Sequence, residues 1–488
     1  MANTWIVGGK GTMADASDNN GGGFVNGVNG TYANSIDTNG GPVDSPVECT
    51  LSESGGAVQI TKASGFTNTE EGHYANCIRT YGSEIPEGIY AVLTVVDGSN
   101  IIIDLAWNAL YASDKITCNV GGAFATIQSA FDLLANGEDE CLIATDTSTV
   151  TEYTSGTKLS LPTTAAFGGT GDAIVIRGCD KADGGWLGVS EEKPEITSST
   201  SALASLLELI DDNEGYKFYD VVFDGTKALG NDATACLALV GGTAYYPDDV
   251  FFFRCVFKNA LSYGVHWNAR AATHCGLYDC TIIDNGSTTS HHGVYGQYSA
   301  PPMINCTVTG NSGDGIYTAQ PGGGQSIITG CVIADNGGRG IYKDRYFTRL
   351  KIVGNTIANN ASHGFEFSYS STPTVYTAGV FSHNIFYGNT GDALYTAETT
   401  LPDHIGFTKN CLNGNANDTF TGYTQVMDDA TNITTDPKFK SESTGDYRLT
   451  SGSSCLNTTT GKVIGALGPE ESAGGLITHP GMGGGMRG

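Results

Sequence analysis

The sequence predicts an all-β protein: a right-handed parallel β-helix with three strands per coil and about 25 residues per coil, plus a separate β-rich N-terminal domain. Three observations carry this. A short phrase built from Cys or Asn, two or three β-formers and a second Asn recurs at a nearly fixed period. The 488 residues contain 68 Gly and only 15% charged residues, a composition rich in turn formers and poor in long helix formers. No helical segment interrupts the repeats, as it would in a leucine-rich solenoid.

The phrases read Cys255-Val-Phe-Lys-Asn, Cys280-Thr-Ile-Ile-Asp-Asn, Cys306-Thr-Val-Thr-Gly-Asn, Cys331-Val-Ile-Ala-Asp-Asn, Asn355-Thr-Ile-Ala-Asn-Asn, Asn384-Ile-Phe-Tyr-Gly-Asn and Cys411-Leu-Asn-Gly-Asn. Their first residues are separated by 25, 26, 25, 24, 29 and 27 positions. A second strand follows each phrase at a glycine, as in Gly293-Val-Tyr, Gly315-Ile-Tyr and Gly340-Ile-Tyr, with Ala393-Leu-Tyr in the same place. A third strand, such as Ser326-Ile-Ile-Thr or Leu350-Lys-Ile-Val, leads into the next phrase. Strand alternation turns the Cys/Asn position and the residue two later inward, and the residue between them outward. Asn285, Asn311, Asn336, Asn360 and Asn389 are expected to stack at a turn, in a left-handed conformation that Asn tolerates.

Earlier coils are less regular. Phe124-Ala-Thr-Ile-Gln-Ser-Ala-Phe reads as a short amphipathic helix capping the first coil, and Ile174-Val-Ile-Arg-Gly and Val221-Val-Phe-Asp-Gly as coil strands. The expected organisation is residues 1–117 as a β-rich domain for attachment or assembly, 118–469 as the β-helix with its cap and closing segment, and 470–488 as a Gly/Met-rich tail.

These phrases, with the end formed by Asp436-Pro-Lys-Phe, Gly445-Asp-Tyr-Arg-Leu and Ile464-Gly-Ala-Leu-Gly, resemble the pectate-lyase-like superfamily of right-handed β-helix repeat proteins, over roughly 350 residues. Relatives of this kind include phage tailspikes and virion appendages, and also enzymes that cleave acidic polysaccharides. The resemblance therefore implies one of two roles. The first is a non-catalytic structural or adhesive component of a phage-like particle: a spike, appendage or capsid decoration. The alternative is a polysaccharide lyase or glycoside hydrolase acting on a surface glycan. The resemblance also implies self-association as a homotrimer and contact with other particle proteins.

Hydrolase chemistry needs two carboxylates on adjacent coils, one to protonate the leaving oxygen and one to activate water. His292-Gly293 and Arg349-Leu350-Lys351 superficially match two motifs of such enzymes, but no Asn-Thr-Asp precedes them and Asp248-Asp249 falls in a loop. No catalytic residue is assigned. Two surface features remain. An outward column on the second strand of each coil comprises His266, Tyr295, Tyr317, Tyr342, Glu366 and Tyr395; of these, His266 and the four tyrosines are the candidates for glycan or subunit contact. A basic cluster of Arg339, Lys343, Asp344, Arg345, Arg349 and Lys351 falls within one coil and offers a grip for an anionic sugar or salt bridges to acidic neighbours.

A net charge of −27 argues against a nucleic-acid partner. No apolar run suits a membrane span, and the opening residues lack the basic and apolar regions of a signal peptide. Synthesis in the cytoplasm and a place in a virion or extracellular particle are expected. Of the 13 cysteines, Cys255, Cys280, Cys306 and Cys331 fall on one interior column, where in-register neighbours sit slightly too far apart to bridge without strain, so free buried thiols are expected. No cofactor or metal site is assigned, since no Cys-x-x-Cys pair or Asp-x-Asp-x-Asp-Gly loop occurs.

Overall fold

A computed structural model describes residues 3–7, 23–25, 48–63, 66, 74–79, 84–86, 88–121, 127–132, 134, 140–145, 152–155, 157–162, 173–180, 193–198, 203–210, 213–226, 233–240, 249–268, 275–319, 322–344, 347–368, 378–396, 404–418, 420–421, 431–457 and 462–466. The expected tail 470–488 lies outside them, as does Arg345. The chain divides into two compact units, the first comprising 1–155, 159–196 and 214–222, the second 156–158, 197–213 and 223–488.

The first unit contains a closed antiparallel barrel. Its strands, in order around the wall, are Glu48–Ser54, Ala57–Thr61, Asn100–Ala106, Gly88–Asp97, Tyr74–Arg79 and Lys115–Gly121. Alternation builds the core, with Val58, Ile60, Ile101 and Ile103 fully buried. Gly55 and Gly56 both adopt positive φ, 61° and 88°, between the paired residues Ser54 and Ala57. A two-residue hairpin turn demands that conformation, and glycine adopts it without steric cost.

Strand Asn3–Val7 does not join this barrel. It pairs in parallel with Glu140–Thr145, which pairs with Ile174–Asp180, which pairs in turn with Tyr216–Tyr219. The barrel thus runs over 48–121, whereas sequence reading grouped 1–117 as one domain. The cause is non-local: the strand's partner lies well over a hundred residues away, and no local pattern marks it. A short helix, Ile127–Phe131, buries Ile127, Ala130 and Phe131.

Most coils of the right-handed β-helix, three parallel sheets with successive coils stacked in register, belong to the second unit. One sheet shows the regularity: Val256–Lys258, Thr281–Ile283, Thr307–Thr309, Val332–Ala334, Thr356–Ala358, Ile385–Tyr387 and Cys411–Asn413 pair in that order. The interior column beside it runs Cys255, Cys280, Cys306, Cys331, Asn355, Asn384 and Asn410, all buried. Cys and Asn exchange there because each donates to the same kind of acceptor. Cys306 Sγ bonds the Leu277 carbonyl at 3.4 Å, and Asn355 Nδ2 bonds the Ile328 carbonyl at 2.9 Å. The column's last member is Asn410 rather than Cys411, which pairs with Ile385 and faces outward beneath the closing segment. The phrase read from Cys411 therefore starts one residue late. Twelve of the cysteines, among them Cys255, Cys280, Cys306, Cys331 and Cys411, are buried and form no disulfide.

Asn285, Asn311, Asn336, Asn360 and Asn389 form the expected stack, continued by Asn415. Each side-chain NH2 donates to the next carbonyl oxygen at 2.7–3.0 Å. The left-handed residue is not the stacked Asn but the one before it: Asp284, Gly310, Asp335, Asn359 and Gly388, with φ from 53° to 66°. The bend is made by that residue, leaving the stacked Asn free to aim its amide along the ladder. Glycine follows at the start of the next strand because the ladder crowds it. A Cβ on Gly315 would lie 2.8 Å from both Asn336 Nδ2 and the Gly340 carbonyl oxygen.

The closing segment folds back on the sheet exterior. Tyr447 packs on the outward residues Val332, Ala334 and Ala358, and its hydroxyl donates to Asp335 at 2.8 Å and accepts from Asn359 Nδ2 at 3.1 Å. Cys455, Leu449 and Val463 cover Ile385 and Cys411 in the same way.

Candidate functional site

The second strands of successive coils, Tyr263–Asn268, Val294–Gly296, Ile316–Thr318, Ile341–Asp344, Phe365–Ser368 and Leu394–Thr396, form one continuous parallel sheet. Their central outward residues align in strict register: His266 opposite Tyr295, then Tyr317, Tyr342, Glu366 and Tyr395. Each is partly exposed, while flanking Val294, Ile316, Ile341 and Phe365 are buried. Tyr295 and Tyr317 stack 5.4 Å apart with planes 7° from parallel. Tyr263, not singled out by sequence, joins the stack 4.8 Å from Tyr295.

A second column lies beside the first, at the bend that precedes each strand. Backbone hydrogen bonds from Gly293, Gly315, Gly340 and Gly364 to the next coil place His292, Asp314, Arg339, His363 and Asp392 one above another. These residues interlock with the aromatic column. His292 stacks on Tyr317 at 4.4 Å and His363 on Tyr395 at 4.3 Å. The Arg339 guanidinium lies 3.5 Å over the Tyr342 ring centre. It also grips Asp314 with two bonds, Nε to Oδ1 at 2.8 Å and Nη2 to Oδ2 at 2.9 Å, and reaches Glu366 at 3.4 Å.

His292 is 5% exposed, and its Nδ1 accepts the Asp314 backbone N–H at 3.1 Å. That bond assigns the proton to Nε2 in a neutral ring, so the nearby Asp314 carboxylate, 3.4 Å from the same Nδ1, does not form an ion pair with it. Burial lowers the imidazole pKa to about 4, with Asp314 opposing and Arg339 reinforcing the shift. His363 repeats the arrangement, accepting from the Asp392 backbone at 2.8 Å.

At the far end of the strands the Tyr317 hydroxyl approaches Asp344 at 3.4 Å, and Ser368 Oγ links Asp344 at 3.2 Å to the Tyr342 hydroxyl at 2.8 Å. Burial first, then the Asp344 charge, holds the Tyr317 hydroxyl far above its ordinary range. These phenols stay protonated and act as donors at neutral pH.

The described members of the basic cluster expected from the sequence, Arg339, Lys343 and Lys351, do not converge. Arg339 is spent on Asp314 and Glu366 in the bend column. Lys343 alternates with outward Tyr342 and Asp344, so it points into the coil. There it is 6% exposed, bonds the Tyr298 carbonyl at 3.3 Å, and sits beside Ile316, Ile328, Leu350 and Phe365. Burial lowers its pKa to about 8, opposed by Asp344. Arg349 and Lys351 belong to the strand Phe347–Val353, in a different sheet. One coil of sequence wraps three faces, so neighbours in the chain point three ways. The same separation breaks up the apparent match of His292-Gly293 and Arg349-Leu350-Lys351 to hydrolase motifs.

The described carboxylates of this face each have a partner within the protein, Glu366 lying 3.4 Å from Arg339. Asp314 is 1% exposed and bound to Arg339. Asp344 is bonded to Tyr317 and Ser368. Asp392 accepts from Asn417 Nδ2. Among the described residues no group of three or more His, Cys, Asp and Glu is placed to hold a metal ion, and no helix is long and apolar enough to cross a membrane.

Three stacked parallel sheets with interior Asn and Cys ladders define a right-handed parallel β-helix protein. In accord with this, residues 239–412 match the family described as right handed beta helix region. No curated protein sequence matches the chain. Solved structures similar to it include pectate lyase Pel9A, at 12% identity, covering 72% of this chain and 92% of that one with a TM-score of 0.46. Full-length tailspike protein 2 from Escherichia coli O157:H7 bacteriophage CAB120 is similar at 14% identity, 71% and 50% coverage and a TM-score of 0.35. The Gp54 tailspike of Acinetobacter baumannii bacteriophage AP22, solved with an A. baumannii capsular saccharide, is similar at 10% identity, 78% and 64% coverage and a TM-score of 0.30.

Proposed function

We propose that this chain is a non-catalytic structural or adhesive component of a phage-like particle, with the Tyr295–Tyr317–Tyr342 face as its contact surface for glycan. The observation that carries the non-catalytic reading is the lack, among the described residues, of a second free carboxylate beside Asp344. Hydrolysis needs one carboxylate free to give a proton and another free to take one. Among the described carboxylates of this face Asp314 is clamped by Arg339, Asp392 accepts from Asn417 and Glu366 lies 3.4 Å from Arg339, so the partly bonded Asp344 has no free second carboxylate beside it. A lyase needs a free Arg or Lys as base, yet among the described residues of this face Arg339 is clamped and Lys343 points inward.

The contact reading rests on a row of partly exposed tyrosines at one-coil spacing. Because each ring covers its neighbour's face, a sugar would meet ring edges and hydroxyl groups rather than bare π-faces. Free thiols suit assembly inside a reducing cell, and the barrel at 48–121 supplies a separate module for attachment. Self-association as a homotrimer belongs to this proposal.

Incubation with acidic and neutral polysaccharides, followed by reducing-end and unsaturated-uronate assays, tests it. No product is expected. Product from any substrate replaces this reading with the lyase or hydrolase alternative. Light scattering should give three times the chain mass.

A further inference from the structure

The charges on the aromatic face decide which sugars it can accept. Its outward groups are the phenols of Tyr295, Tyr317 and Tyr342, the Ser368 hydroxyl, and the carboxylates of Asp344 and Glu366. Of the cations that sequence places nearby, Arg345 lies outside the described residues, and Arg339, Lys343 and Lys351 are turned to other tasks or other faces. Arg339 already neutralises Asp314 and contacts Glu366, Lys343 lies inside the coil, and Lys351 belongs to another sheet.

Asp344 stands at the centre of the hydroxyl row, within hydrogen-bonding distance of Tyr317 and Ser368, and its field reaches Tyr295 and Tyr342 as well. A carboxylate accepts about four hydrogen bonds. Two of these are made here, which leaves acceptor capacity at a partly exposed position. That capacity suits a ligand rich in donors. A uronate arriving at the same place brings a second negative charge with no free cation among the described residues to offset it, a like-charge encounter that costs affinity.

We infer that this face takes neutral or amino-bearing sugars and rejects uronate polymers. The inference rests on the glycan-contact reading above and specifies its ligand class. Asp344 is the specificity-determining residue, with the Tyr317 and Tyr342 hydroxyls as its positioning partners.

The test is isothermal titration calorimetry of the full chain at low salt and mildly acidic pH. The probes are a chitosan oligosaccharide, a cello-oligosaccharide and an oligogalacturonate of matched length. The chitosan oligosaccharide should bind most tightly, the cello-oligosaccharide more weakly, and the oligogalacturonate at least about tenfold more weakly than the first, the ratio of one charge-assisted contact. Asp344→Asn, with an unchanged far-UV circular dichroism spectrum, should reduce chitosan affinity about tenfold and cello-oligosaccharide affinity less. Oligogalacturonate binding as tight as the other two overturns the inference while leaving an adhesive protein. An Asp344→Asn protein that binds like the parent takes the site off this face. Silence toward all three probes by a folded chain overturns the glycan reading itself.

Discussion

His292 lies flat on Tyr317, with ring centres 4.4 Å apart and planes 7° from parallel, although the two residues belong to different coils. The imidazole also accepts the Asp314 backbone N–H from the coil that carries Tyr317. One side chain thus ties two turns of the solenoid through its face and through its edge.

Replacing it tests both ties. His292→Ala removes the stack and leaves the Asp314 N–H unbonded in a buried place. The stack contributes about 1 kcal/mol beyond area burial, and the orphaned donor costs about 1–3 kcal/mol. A loss of about 2–4 kcal/mol is expected on that accounting, read as a lower urea midpoint. Hydrogen exchange should quicken around coils 292–318 before it does elsewhere, because a solenoid transmits stability between neighbours only.

The same histidine makes stability pH-dependent. Its folded pKa of about 4 lies below the ordinary 6.5, so between these values the unfolded chain binds a proton that the folded chain does not. Stability from this group is fully present above about pH 6.5 and is lost as pH falls toward 4. The total is up to about 3 kcal/mol, given roughly 1.4 kcal/mol per pKa unit. Urea titrations at several pH values should show a steeper decline across this window for the parent than for His292→Gln. Equal slopes would remove His292 as the cause.

The asparagine ladder should be intolerant of charge. Asn336 donates to Asn360 and to the Val308 carbonyl, and accepts from Asn311. Asn336→Asp keeps the shape but deletes both donors and buries a carboxylate against the Asn360 and Val308 oxygens. A cost of about 3 kcal/mol or more is expected, larger than for Asn336→Ala, because a buried unpaired charge is worse than a missing bond. Differential scanning calorimetry of the two variants ranks them.

Gly315→Ala should be more harmful than its single methyl suggests. The added Cβ meets the Asn336 amide and the Gly340 carbonyl at 2.8 Å, and the second of these is backbone that cannot swing aside. Overpacking of this kind costs about 1–3 kcal/mol. At Gly55, where a Cβ would meet nothing within 4 Å, the cost comes only from its φ of 61° and should be about 1 kcal/mol. Thermal midpoints of the two variants separate crowding from conformation.

Much of this architecture is legible in the sequence, for a physical reason. Each coil repeats the same interior environment, so Cys280, Cys306, Cys331, Asn355 and Asn384 announce their column by chemistry alone. The aromatic column from Tyr295 to Tyr395 follows from the same register. The bend column stays hidden because His292, Asp314, Arg339, His363 and Asp392 share a position but no chemical type. Interlocking, not resemblance, relates them. Lys343 shows the converse: its inward direction follows from alternation with Tyr342 and Asp344, and grouping charges by chain position overrode that rule. The start of the barrel at Glu48 and the pairing of Asn3–Val7 with Glu140–Thr145 depend on partners distant in the chain, which no local pattern encodes.

Within the first unit, the Gln128 side chain bonds both backbone groups of Ser160: its Nε2 donates to the Ser160 carbonyl at 2.9 Å, and its Oε1 accepts the Ser160 N–H at 2.9 Å. A glutamine amide has the same donor and acceptor as a peptide unit, so one side chain fills the slots that a further strand would use. Ser160 thereby has nothing left to offer a passing chain. Leu159–Ser160 is the edge strand of its sheet, and a counterfeit peptide group there closes both backbone positions of Ser160 to an added strand.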